Sequence, residues 1–237
     1  MSSISTLFHT IRYLRPAQIY GRLWFKLYRP KIQLNPTPEL RNYAKNWVIP
    51  IRRKSSLLRP WMFRFLNEEY TLNDAKDWDS PTINKLWRYN LHYFDDLNAK
   101  EADSRHEWHQ QLLQRWVREN PPSSGTAWEP YPTSLRIVNW IKWALSGHEL
   151  NSICMHSLAV QVRWLNQRLE IHILGNHLFA NAKALVFAGL FFKSNEAEHW
   201  LEKGLRILDC EIIEQFLQKT NDNYYPSCGN KLFYLTG

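Results

Sequence analysis

In one largely apolar stretch, Leu169–Phe192, five polar residues have the types and spacing to do chemistry: His172, Asn176, His177, Asn181 and Lys183. Residues four and seven apart share a helix face, so a helix continuous through Gly175 aligns His172, Asn176 and Lys183 on one side. His177 and Asn181 form a second polar line beside them. Leu178, Ala182, Leu185 and Gly189 recur at three- and four-residue steps and make the apolar face. Such a helix can line a cleft, presenting amides, imidazoles and an ammonium to a ligand. The competing reading ends one helix at Gly175 and caps the next with Asn176, the histidines being satisfied in packing. A second constellation lies on a helix expected over Thr133–Leu145, with Thr133 or Ser134 as its cap. Arg136, Trp140 and Trp143 share one side of it, near Asn139, and Ile137, Ile141 and Leu145 share another. A guanidinium forks onto carboxylate or sulfate and an indole covers the apolar face of a sugar ring, which together suit an anionic sugar. The same pattern also fits an amphipathic helix whose tryptophans are core.

The elements that must position these groups read as helices. His106–Glu119 carries Trp108, Leu112, Leu113 and Trp116 as an inward stripe, and stops where Asn120 precedes two prolines. His156–Leu174 carries Leu158, Val162, Leu165 and Leu169, and a last amphipathic helix spans Ala197–Leu217. A further helical segment starts near Lys85, and the segment around Trp61–Leu72 fits a short strand pair or a loop edge. Met1–Pro30 is a basic, aromatic amphipathic helix broken at Pro16, either a strap on the outside of its own domain or a membrane-surface segment. Lys31–Pro60 is an extended connector. The sum is a run of helical hairpins with short loops, an all-α array.

Of 237 residues, 44% are hydrophobic and only 8 are glycine, which supports a sizeable core and disfavours a turn-rich all-β fold. The 12 tryptophans are expected to line a groove or act as amphipathic wedges, since each indole N–H wants a partner. A net charge of +8 favours anionic partners, whether nucleic acid, lipid headgroups or acidic polysaccharide. No helix-turn-helix, zinc-finger or RNA-binding signature supports nucleic acid, so none is expected as a partner. Three cysteines without a CxxC pair argue against a disulfide scaffold or cysteine zinc site, and the five-residue spacing of His172 and His177 does not suit a zinc helix. No metal or cofactor is expected. There is no apolar run long enough to span a membrane and no visible signal peptide, which favours a cytoplasmic location.

Three segments in order, LWRYNLHYFDDL, GTAWEPYPTSLRIVNWIKW and LEIHILGNHLFANAKALVFAGLFF, resemble the N-terminal domain of the heparinase II/III-like polysaccharide lyases, which include heparin and heparan sulfate lyases and some alginate lyases. The resemblance covers roughly residues 87–192. It implies an (α/α) toroid, normally followed by a β-sandwich domain, and cleavage of uronic-acid-containing polysaccharide by β-elimination; it also makes a periplasmic location conceivable. By similarity Asn176 is the catalytic neutraliser of the uronate carboxylate, and His177, Glu129, Arg136 and Trp140 are substrate contacts. The family pattern continues into a segment that supplies a catalytic tyrosine. Here QKTNDNYYPSCGNKLFYLTG follows instead, so no base is carried onto Tyr224 or Tyr225. The expected organisation is a strap and connector over 1–80, an incomplete toroid over 81–217 lacking the β-sandwich, and an out-of-pattern, loosely packed tail over 218–237. Such a chain is expected to be truncated and weakly active or inactive alone; the rival is a non-catalytic acidic-glycan-binding protein.

Overall fold

The structure, a computed structural model, describes residues 16–42, 47–48, 51–173 and 175–220, with side chains between 21 and 211. The chain is mostly helical. Helices α1 (Pro16–Leu27), α2 (Lys85–Tyr93), α3 (His106–Glu119), α4 (Pro130–Leu145), α5 (Ser152–Gln167), α6 (Gly175–Phe191) and α7 (Asn195–Thr220) follow in order. Among the described residues two small antiparallel sheets accompany them. Strand β1 (Glu39–Leu40) pairs with β5 (Phe192–Lys193), while β2 (Leu57–Arg59), β3 (Met62–Phe65) and β4 (Glu68–Thr71) form a three-stranded meander. The start of the strap, before Pro16, and the tail from 221 onward, with Tyr224 and Tyr225, lie outside the described residues.

Local chemistry sets the helix ends. Asn84 opens α2 by accepting from the Leu86 amide at 2.8 Å, and Asn151 opens α5 by accepting from the Cys154 amide at 2.9 Å. Helix α4 starts earlier than its sequence cap signals imply. Pro130 occupies its first position behind Glu129, because proline has no N–H to lose there and its φ already fits a helix. Thr133 and Ser134 are therefore inside the first turns rather than at the cap. The same preference places Pro16 at the start of α1. The expected helix His156–Leu174 is displaced to Ser152–Gln167, and the chain turns through Arg168–Ile173 before α6.

The core contradicts the expectation that tryptophans line a groove. Trp78, Trp87, Trp116, Trp128, Trp140, Trp143, Trp164 and Trp200 are all buried. Five of these indoles are tolerated inside because their N–H finds an acceptor: Trp78 donates to Glu119, Trp87 to the Glu68 carbonyl, Trp116 to His92, Trp128 to the Asn120 carbonyl and Trp164 to the Trp128 carbonyl. The indole nitrogens of Trp140 and Trp143 have no hydrogen-bond partner. Beside this core the buried Asp96 carboxylate gathers the Ser56 and Leu57 amides, Arg105 and His109, tying the meander to the helices.

The segment preceding the meander is held by arginines that donate to backbone carbonyls. Arg168 donates to Phe25 and Tyr28 at 2.7 and 2.6 Å and stacks on the Phe25 ring. Arg163 reaches the carbonyls of Asn35 and Pro36 and pairs with Glu196. Among the described residues no helix is long and apolar enough to cross a membrane.

Candidate functional site

Helices α4 and α6 lie side by side and run in the same direction, because their contacts advance together along both. Tyr131 meets His177 with ring centres 4.3 Å apart, Ser134 accepts from Asn181 at 2.9 Å, and the Lys142 ammonium lies 6.0 Å from the Phe187 ring centre. The N-terminal ends of the two helices thus come together, and three of the polar groups singled out in the sequence, Glu129, Asn176 and His177, collect there.

Gly175 begins α6 with a φ of +57°, a left-handed conformation open to glycine and costly for most side chains. It lets the Arg168–Ile173 turn double back before the helix. Glu170, in that turn, is buried and closes a small network. Its backbone N–H donates to the Asn181 side-chain oxygen at 2.8 Å, the Asn181 amide returns to its carboxylate at 3.2 Å, and His177 Nδ1 lies 3.1 Å from the other carboxylate oxygen. With Nδ1–H donating to Glu170, the neutral imidazole presents Nε2 as an acceptor, and no described residue bonds that atom. Burial raises the Glu170 pKa above the usual carboxylate range, while His177 and Asn181 pull it back and Glu129 pushes it further up. The two acids therefore act on one region.

Glu129, at the N-terminal boundary of α4, accepts from the Tyr89 hydroxyl and from Lys85 at 3.0 Å. Burial, then the bond to Glu129, raises the Tyr89 pKa well above that of free tyrosine, so Tyr89 stays protonated at neutral pH. Tyr93 packs edge-on against Tyr131 and completes an aromatic side to the region. Asn176 is exposed in the first turn of α6 and its amide has no hydrogen bond to any described residue.

The structure thus brings Asn176, His177 and Glu129 towards one end of the paired helices. Arg136 and Trp140 lie elsewhere. Both are fully buried: Trp140 packs edge-on against Phe94 and Trp116, and Arg136 stacks on Trp116 at 4.0 Å while donating to Gln161, the His92 carbonyl and Thr133. Their observed contacts are packing contacts. His172 leaves the expected line as well, because no continuous helix runs through Gly175. It sits instead against Phe25 of α1, with ring centres 4.5 Å apart, and only Asn176 and Lys183 keep their shared face.

Three groups of this region were not singled out from the sequence: Tyr89, Tyr131 and Glu170. Glu170 had a signal, being the one acidic residue between Glu149 and Glu196 and lying seven residues before His177. Tyr131 sits within the GTAWEPYP segment but carries no local mark of the ring it faces. Among the described residues no group of three His, Cys, Asp or Glu side chains is arranged to hold a metal.

The sequence model of one family, described as Heparinase II/III N-terminus, matches residues 58–224. No curated protein and no solved structure matches the chain.

Proposed function

We propose, because this chain belongs to the heparinase II/III N-terminus family, that its paired α4–α6 end binds a uronic-acid-containing polysaccharide and serves β-elimination at the bound uronate. The family carries a polysaccharide lyase-related function. The observation that supports the finer reading is the unbonded Asn176 amide next to His177, whose other nitrogen is held by Glu170. We read the helices as part of an (α/α) toroid with this end facing its cleft.

The chemistry asks for such groups. In β-elimination a base removes the C5 proton of the uronate, the bond from C4 to the glycosidic oxygen breaks, a C4–C5 double bond forms, and the departing oxygen takes a proton. The C5 proton is weakly acidic while the adjacent carboxylate carries a charge, so charge building on that carboxylate must be met by fixed dipoles. The Asn176 amide meets it, helped by the partial positive charge at the N-terminus of α6. His177 Nε2 can accept a proton and return it, and Glu170 stabilises the imidazolium formed. Glu129, with Tyr89 and Lys85, contacts the sugar hydroxyls beside it.

The test is saturable binding of uronate oligosaccharides to the purified chain, with unsaturated-uronate absorbance read on the same samples. Asn176→Ala and His177→Ala are each expected to weaken binding about tenfold, the loss of one or two hydrogen bonds to a charged group. Any rise in absorbance is expected to vanish in Asn176→Ala. Saturable binding without product in the wild type would turn the reading into a non-catalytic glycan-binding protein. No binding to any acidic glycan would overturn it.

A further inference from the structure

Further along the same two helices, Lys142 on α4 and Lys183 on α6 are half-buried cations, and neither makes a salt bridge or hydrogen bond to any described residue. The acid whose charge acts on both is Asp95, whose carboxylate already accepts from Asn139 at 2.7 Å and faces Arg53 at 3.5 Å. Lys142 lies over Phe187, one helical turn beyond Lys183 on α6, which brings the two ammonium groups to the same stretch of surface. Burial lowers both lysine pKa values, Lys183 lowers that of Lys142 further, Asp95 offsets part of this, and Arg53 adds a third positive charge. Two cations held half-buried beside each other, with one carboxylate to share that is already bonded to Asn139 and Arg53, are unfavourable in an empty protein, and an incoming anion relieves that. Lys183 also shares the face of Asn176. Seven residues at ~1.5 Å each separate them by about 10 Å along the axis, further than one pyranose ring spans.

We propose that Lys142 and Lys183 form an anion subsite that holds a second carboxylate or sulfate of the acidic glycan whose uronate lies at Asn176. The inference rests on the functional reading above and extends it: the site selects a chain with repeated negative charge, not a single uronate. Leu135, part-exposed between Tyr131 and Lys142, gives the intervening sugar an apolar surface.

The experiment compares a uronate disaccharide with a hexasaccharide by calorimetric titration against the wild type, the double variant Lys142→Met/Lys183→Met and the double variant Lys142→Arg/Lys183→Arg. Methionine keeps the unbranched stem, and circular dichroism with a thermal melt checks that each variant folds. The wild type should bind the hexasaccharide at least tenfold tighter than the disaccharide, with a steep salt dependence. In the methionine variant that advantage should disappear and the salt dependence flatten, with disaccharide affinity unchanged, while the arginine variant keeps most of the advantage. Unchanged hexasaccharide affinity in the methionine variant, with Asn176→Ala still weakening it, would overturn this inference alone. Inorganic sulfate competing as well as the hexasaccharide would overturn the glycan assignment in favour of a free-anion site. A wild type that binds neither oligosaccharide would overturn the functional reading with it.

Discussion

His92 is held between two tryptophans in a way that decides its protonation. The Trp116 indole N–H donates to its Nδ1, so that nitrogen is bare, and Nε2–H then donates to the Trp78 carbonyl. Burial, with the nearby Arg136 charge, drops its pKa from 6.5 to about 3. The unfolded chain takes up this proton as pH falls through 6.5 and the folded chain does not, so its contribution to stability is present above 6.5 and is lost as the solution is acidified. For Asp96, burial favours the neutral acid, but the bonds from His109, the Leu57 and Ser56 amides and Arg105 outweigh it and lower the pKa below 3.8. That contribution is present above 3.8 and is lost further down, as pH falls through the folded value. Urea unfolding free energies should therefore fall between pH 6.5 and 4, with His92 contributing up to roughly 1.4 kcal/mol per pH unit. His92→Asn should flatten that slope, and an unchanged slope would refute the assignment. Arg136 shows why such detail escapes a linear reading. A guanidinium and indoles on one helix describe a sugar contact and a core equally well. Which it is depends on Gln161 and His92, partners 25 and 44 residues away.

Helices with a strong apolar stripe were legible, and α3 has the limits its periodicity and the following prolines imply. The α5–α6 turn was legible only as one of two readings, because apolar spacing runs on through Ile171 and Leu178 while Gly175 offers a helix end, and the left-handed Gly175 decides for the break. For the candidate site this mattered most: the residues Asn176 and His177 were visible, but Glu170 and Tyr131 reach His177 from a turn and a neighbouring helix. Close packing between elements is similarly silent in sequence. A Cβ on Gly189 of α6 would come within 2.6 Å of the Ala197 carbonyl and the Leu201 side chain of α7. Backbone cannot yield there as a flexible side chain would, so Gly189→Ala should cost about 1–3 kcal/mol despite alanine's better helix propensity. Chemical denaturation measures it, and a stabilised variant would show that α6 and α7 can separate at no cost.

At the scale of the molecule, the basic composition pointed to an anionic ligand, yet several of the arginines serve the protein's own backbone. Arg41, Arg163 and Arg168 donate to carbonyls across long stretches of chain. Arg168→Ala should free α1 without unfolding the helices: limited proteolysis should then cut near residues 28–35 while the melting transition of the remainder persists. Equal protease resistance in variant and wild type would show that Arg168 does not hold the strap. The same contact reaches into the site. Phe25 packs on His172, and a Cβ on Gly21 would come within 2.9 Å of the His172 side chain, so α1 seats the turn that carries Glu170 and leads into Asn176. Arg168 and Phe25 stand 143 residues apart, and contacts of such separation form only after the entropy of closing a long loop has been met. On refolding from denaturant, helical signal should therefore return before the proposed glycan binding does. The candidate site matures last, when α1 comes back to brace a turn that begins 143 residues beyond Phe25.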